Sequence, residues 1–122
     1  MSELSRIRQV REIVAWLLGR RRLYTVVGTS MLPTLAPGER VWARVRPLAR
    51  VQPGAIVVVR SPTPPPAILV KRLASRMDDS FTVKSDSPDG AFDSLRFGSL
   101  ASSALLGEVT LILDVEGRLR RP

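Results

Sequence analysis

The chain has 122 residues, 44% of them hydrophobic but only 5% aromatic, a length for one compact domain with a core built from Val, Leu, Ile and Ala. It contains no cysteine and no histidine, which excludes a disulfide framework, a thiol nucleophile, an imidazole base and His or Cys metal sites, so neither metal nor cofactor is expected. A net charge of +8 suits an acidic partner or an anionic surface, yet no aromatic platform or zinc finger accompanies it, and nucleic acid is not expected as a partner.

Residues 3–18 read as an amphipathic helix, with Ile7, Val10, Val14, Leu17 and Leu18 near helical spacing and Arg6, Arg8 and Arg11 among the polar positions. The helix is basic and carries Trp16, so contact with a membrane interface through residues 3–22 stands beside docking on the parent domain. No run reaches the ~18–20 apolar residues of a membrane span, and no cleavable signal is evident, so a cytoplasmic chain is expected. The expected organisation is a basic N-terminal helix at 1–22, one main domain at 23–115 and a basic tail at 116–122.

From Tyr24 onward short strands are punctuated by Gly and Pro. Tyr24–Val27 is the first candidate. In Arg40–Arg46, alternation sends Val41, Ala43 and Val45 one way and Trp42 and Arg44 the other. Ala55–Arg60 is a continuous Ile-Val run, as in a strand covered on both faces. Pro62, Pro64, Pro65 and Pro66 force a turn before Ala67–Leu73 resumes, which predicts a hairpin over 55–73. Phe81–Lys84 and Glu108–Leu113 complete about six strands. The fold class is mostly β: a small curled antiparallel sheet or partial barrel with one N-terminal helix.

Two segments carry candidate chemistry. In Val27-Gly28-Thr29-Ser30-Met31-Leu32-Pro33-Thr34-Leu35 the chain leaves a strand and enters a loop, where a serine hydroxyl is exposed beside free backbone N–H groups. A serine in such a place also serves ordinary turns. In Ile68-Leu69-Val70-Lys71-Arg72-Leu73 alternation puts Lys71 on one face with Leu69 and Leu73, and Arg72 on the other. Desolvation there disfavours the ammonium, at ~1.4 kcal/mol per pKa unit, and an amine neutral near pH 7 can take a serine proton. The alternative is a lysine snorkelling from a sheet edge.

Together these contexts resemble the Ser/Lys dyad of the signal peptidase I superfamily. The stretch GTSMLPTLAPGE resembles its nucleophile box, Pro53–Val59 its next box with Ala55 where Asp is usual, and Leu69–Leu73 the box of the lysine base. Ser85-Asp86-Ser87 and Phe92-Asp93-Ser94-Leu95-Arg96-Phe97-Gly98 resemble its C-terminal box, and Leu106–Val109 the strand that follows. The resemblance implies Ser30 as nucleophile, Lys71 as general base and acid, and the backbone N–H groups of Gly28 and Ser30 as an oxyanion hole. Met31 and Pro33 would shape the substrate cleft, and Asp86, Asp93 and Ser94 would support the lysine and its surroundings. The sequence departs from the pattern at Ala91, where many members have a serine bonded to the lysine, at Leu95 for Arg, at Glu39 for Asp, and at Ser85-Asp86-Ser87 for Gly-Asp-Asn.

Only 14 residues separate Lys71 from Asp86, too few for the extra domain many bacterial members carry there. A short chain without an evident anchor most resembles the maturation proteases of nickel-type superoxide dismutase. By that resemblance the partner is the dismutase precursor, whose N-terminal extension is removed, and the nickel belongs to the substrate. Three readings stand beside it: a self-cleaving repressor domain, a membrane-associated signal peptidase, and a non-catalytic basic binding domain of the same fold.

Overall fold

The computed structural model describes residues 21–62, 67–88 and 98–122. The expected helix over 3–18, the prolines 64–66 and the positions Ala91, Asp93, Ser94 and Leu95 lie outside the described residues.

Among the described residues eight strands follow in chain order: β1 (Arg21–Thr25), β2 (Arg40–Arg44), β3 (Ile56–Arg60), β4 (Ile68–Arg76), β5 (Ser80–Lys84), β6 (Leu100–Ala101), β7 (Leu105–Leu113) and β8 (Leu119–Arg120). They form one sheet in the order β1-β2-β7-β3-β4-β5-β6, with β8 added to β7, and all the pairings are antiparallel. The hairpin expected over 55–73 is β3–β4, with Val57 opposite Lys71 and Val58 opposite Val70.

β-Branched residues in β3 suit a pleated strand buried on both sides, and their alternation divides the core in two. Ile56 and Val58 pack with Val26, Met31, Leu35, Val41, Ala43, Val109 and Ile112 on one face. Val57 and Val59 pack with Leu48, Val51, Leu73, Phe81, Val83 and Leu100 on the other. Register shifts at Trp42/Ala43 and Val58/Val59 against β7, and at Leu73/Ser75 against β5, add local twist and curl the sheet.

Several expected boundaries move. β1 begins at Arg21 and stops at Thr25, and β7 begins at Leu105 rather than Glu108. Val45, placed by alternation on one face with Val41 and Ala43, is 54% exposed where those two are buried, because β2 ends at Arg44 and Pro47 leads into a 3-10 turn at Leu48–Arg50. β6 and β8 have two residues each, too short for alternation to signal them. Residues 119–120 of the expected tail thus join the sheet.

Gly107 lies on β7 against Ala43 and Arg44 of β2. A Cβ there would lie 3.0 Å from the Arg44 carbonyl oxygen and 3.1 Å from Ala43 Cβ, and a paired backbone oxygen has little room to retreat. Gly107→Ala is expected to lower the unfolding free energy by about 1–3 kcal/mol, as overpacking does; urea denaturation of the two chains checks it, and an unchanged midpoint refutes it.

Candidate active site

The Ser30 loop leaves β1 at Val26 and returns to β2 at Glu39. Its base is closed by Val26 N–H to the Glu39 carbonyl at 2.7 Å and Gly38 N–H to the Val26 carbonyl at 2.9 Å. Met31 and Leu35 lie one helical turn apart, joined by Leu35 N–H to the Met31 carbonyl at 2.9 Å. Both are plugged into the core, at 1% and 0% exposure. Gly28 makes the turn ahead of Ser30 at φ +82°, and since a Cβ would meet nothing within 4 Å, backbone conformation rather than space demands glycine.

Lys71 comes from the middle of the sheet. Its side chain projects to the face of Val57 and Leu73, and it is 2% exposed. β5 begins to pair with β4 only at Arg72, opposite Lys84, so in the described ladder residues 68–71 bond to β3 alone. The gap beside this half-free edge is where the Ser30 loop arrives. A cavity of about 70 Å³ is lined on one side by Thr25, Val26, Val27, Ser30 and Met31, and on the other by Ile68, Leu69, Val70 and Lys71. Ser30 and Lys71, 41 positions apart in sequence, therefore share one small cavity.

Residues 85–87 bind both sides of it. Lys71 Nζ donates to Ser85 Oγ at 3.0 Å, and Ser87 N–H donates to the Ser30 carbonyl at 2.9 Å. Between them Asp86 receives a two-pronged guanidinium contact, from Arg72 Nε at 2.8 Å and Nη2 at 2.7 Å. Asp86 also accepts from Thr34 Oγ1 at 2.5 Å, and Arg72 Nη1 donates to the Gly54 carbonyl at 2.7 Å. The Arg72 hydrogen bonds, aided by Thr34, hold the Asp86 carboxyl below its ordinary range against the opposing effect of burial.

A second clamp grips the loop from outside. Buried Glu39 accepts from Arg120 Nη1 at 2.7 Å and Nη2 at 3.0 Å, and from Ala36 N–H at 2.7 Å. Arg120 Nη2 reaches on to the Thr34 carbonyl at 2.8 Å. The Arg120 hydrogen bond is the main reason the Glu39 carboxyl is also held low. Glu39 in place of the usual Asp thus has a partner from the far end of the chain.

Of the residues singled out in the sequence, Ser30, Met31 and Lys71 line the cavity, Met31 as part of the buried core. Gly28 lies two positions before Ser30 and is exposed. Pro33, expected in the cleft, is exposed and is not among the residues lining this cavity; the Leu32–Pro33 bond is cis. Asp86 supports the site through Arg72 and Thr34, while Asp93 and Ser94 lie outside the described residues. Sequence reasoning missed Ser85, Thr34, Arg72 and Arg120 as site-forming residues. Alternation marked Arg72 as facing away from Lys71, but nothing local named Asp86 as its partner.

A family model described as signal peptidase, peptidase S26, matches residues 13–87, which include the Ser30 loop, the Lys71 strand and residues 85–87. No curated protein matches the chain.

A carboxylate whose folded pKa is depressed contributes stability that is present above its unfolded pKa of about 3.9 and is lost as pH falls through the folded value. Stability is therefore expected to fall as the medium is acidified below about pH 4, as Asp86 takes up its proton. Asp86→Asn is expected to cost about 1.5–3 kcal/mol at pH 7, the range for a hydrogen bond to a charged group, and to flatten the acid slope. Denaturant melts of both chains from pH 7 to pH 3 test this; a slope unchanged by the substitution contradicts it.

Proposed function

Because the chain belongs to the signal peptidase family, peptidase S26, we propose that this serine endopeptidase uses Ser30 Oγ as nucleophile and Lys71 Nζ as general base. The observation that carries the proposal is the small cavity lined by both residues, with Lys71 almost wholly withdrawn from water. Burial disfavours the ammonium, and a neutral amine is the form that can accept a proton.

In this mechanism Lys71 takes the Ser30 proton as Oγ attacks the scissile carbonyl carbon. The carbonyl π electrons move to oxygen, giving a tetrahedral oxyanion. Among the described residues neither Gly28 N–H nor Ser30 N–H donates to another backbone carbonyl, which supports these two amides as its oxyanion hole. The Lys71 ammonium returns the proton to the leaving nitrogen as the C–N bond breaks, leaving an ester on Ser30. Lys71 then deprotonates a water that attacks the ester, and the collapsing intermediate restores the Ser30 hydroxyl as the acid departs.

Cavity size bears on what is cut. An engineered cavity of about 150 Å³ accepts benzene, so the present one, about 70 Å³, suits a side chain of alanine or serine size and not an aromatic ring. Thr25–Val27 on one side and the half-free edge of β4 on the other support an extended substrate lying between them by strand addition. The substrate proposed is a precursor with an N-terminal extension, that of nickel superoxide dismutase, supported by the sequence resemblance. A cytoplasmic location, with peripheral membrane contact through residues 3–22, belongs to the same reading; among the described residues no helix is long and apolar enough to cross a membrane.

Coexpression of the dismutase precursor with the wild-type, Ser30→Ala and Lys71→Ala chains, followed by mass spectrometry of the precursor's N-terminus, tests the proposal. The wild type is expected to trim it, and each variant to lose about 10⁴-fold or more of that activity. Equal trimming by all three removes the dyad; no trimming by any removes this substrate. A phenylalanine placed just before the scissile bond is expected to block cleavage, and efficient cleavage of it refutes the size argument.

A further inference from the structure

Ser85 carries a hydroxyl that the two-residue mechanism leaves without a task. It follows directly after β5, and the β4–β5 ladder has Arg72 opposite Lys84. One further antiparallel step sets Ser85 opposite Lys71 on the same face. The contact realises that register: Lys71 Nζ donates to Ser85 Oγ at 3.0 Å.

The surroundings fix this hydroxyl. Its neighbour Asp86 is held by two nitrogens of Arg72, and Ser87 N–H binds the Ser30 carbonyl. Ser85 is thus suspended between an ion pair and the nucleophile's own backbone. Among the described residues, four charged groups near it have partners of their own or face away. Asp86 is committed to Arg72, Glu108 (beyond Val57 in the same row) is bound by Arg46 at 3.1 Å, and Lys84 and Arg72 alternate to the opposite face.

The type of acceptor matters. A carboxylate beside Lys71 would favour the ammonium and disable it as a base. A hydroxyl has one donor and two acceptor sites, so it can hold the nitrogen both as amine and as ammonium, through both halves of the proton transfer. We propose that Ser85 is a positioning residue that orients the Lys71 amine toward Ser30 without supplying a charge. This inference rests on the dyad reading above.

The test uses the full chain labelled with ¹⁵N-lysine. Lys71 and Lys84 are its two lysines, so their nitrogens titrate as two separable resonances and no substrate is needed. In Ser85→Ala the ammonium loses an acceptor, and the Lys71 midpoint is expected to move down by about half a pH unit or more while Lys84 stays in place. Ser85→Thr, which keeps the hydroxyl, is expected to restore it. With the precursor as substrate, kcat of Ser85→Ala is expected to fall about 10- to 100-fold with KM little changed, as for a misplaced catalytic group. A Lys71 midpoint and kcat both unmoved in Ser85→Ala overturn the inference. So does equal impairment of the Thr and Ala variants with parallel losses of melting temperature, the mark of a merely structural serine. If Ser85→Ala is neutral while Lys71→Ala is inactive, only this inference falls; if Lys71→Ala cleaves as the wild type does, the dyad falls with it.

Discussion

Lys71 is held almost entirely out of water on a strand whose partner at that level is Val57 and whose same-face neighbours are Leu69 and Leu73. Withdrawing an ammonium from water costs about 1.4 kcal/mol for each pKa unit it is driven down, and the cost is met by the fold as a whole. β3 is buried on both faces, so its ladder with β4 fixes the height and direction of the lysine stem. β5 pairs with β4 only from Arg72 onward, which leaves Ile68–Val70 without a β5 partner in the described ladder. A buried amine lining the small cavity beside that edge is the physical basis of the proposed chemistry.

The serine side depends on longer connections. Thr34 is where they meet: its hydroxyl donates to Asp86, 52 positions away, and its carbonyl accepts from Arg120, 86 positions away. Arg72 and Arg120 thus clamp the same loop through Asp86 and Glu39, one from the lysine strand and one from the last strand of the sheet. Met31 and Leu35 anchor its inner side in the core. A loop pinned at its base, its interior and both flanks can present one hydroxyl in one place, which pre-organised catalysis requires.

Short-range pattern made much of this legible. The Ile-Val run and the alternation around Lys71 identified β3 and β4 and put the lysine on a face with Leu69 and Leu73, because a strand's period is a local property, but left burial and snorkelling both open. The residues around Ser30 marked a strand exit followed by a turn. What the pattern could not carry was pairing over distance. Arg72 announced only which face it occupies, Ser85 read as a departure from a familiar triplet rather than as the lysine's partner, and Arg120 read as one more charge in a basic tail. Pro33, placed in the cleft by resemblance, is exposed and does not line the small cavity that Ser30 and Lys71 share. Strands of two residues leave no periodic trace.

The family match joins these features to peptide hydrolysis in general, and the proposed pairing of Ser30 with Lys71 is a route to it that needs no histidine. The most direct test of that pairing is the intact mass of the protein after exposure to a penem-type acylating inhibitor, with the modified residue mapped by peptide fragmentation. The account predicts a single acyl adduct on Ser30 in the wild type and none in a folded Lys71→Met chain. No adduct on Ser30 of the wild type, or equal acylation of both chains, would contradict it.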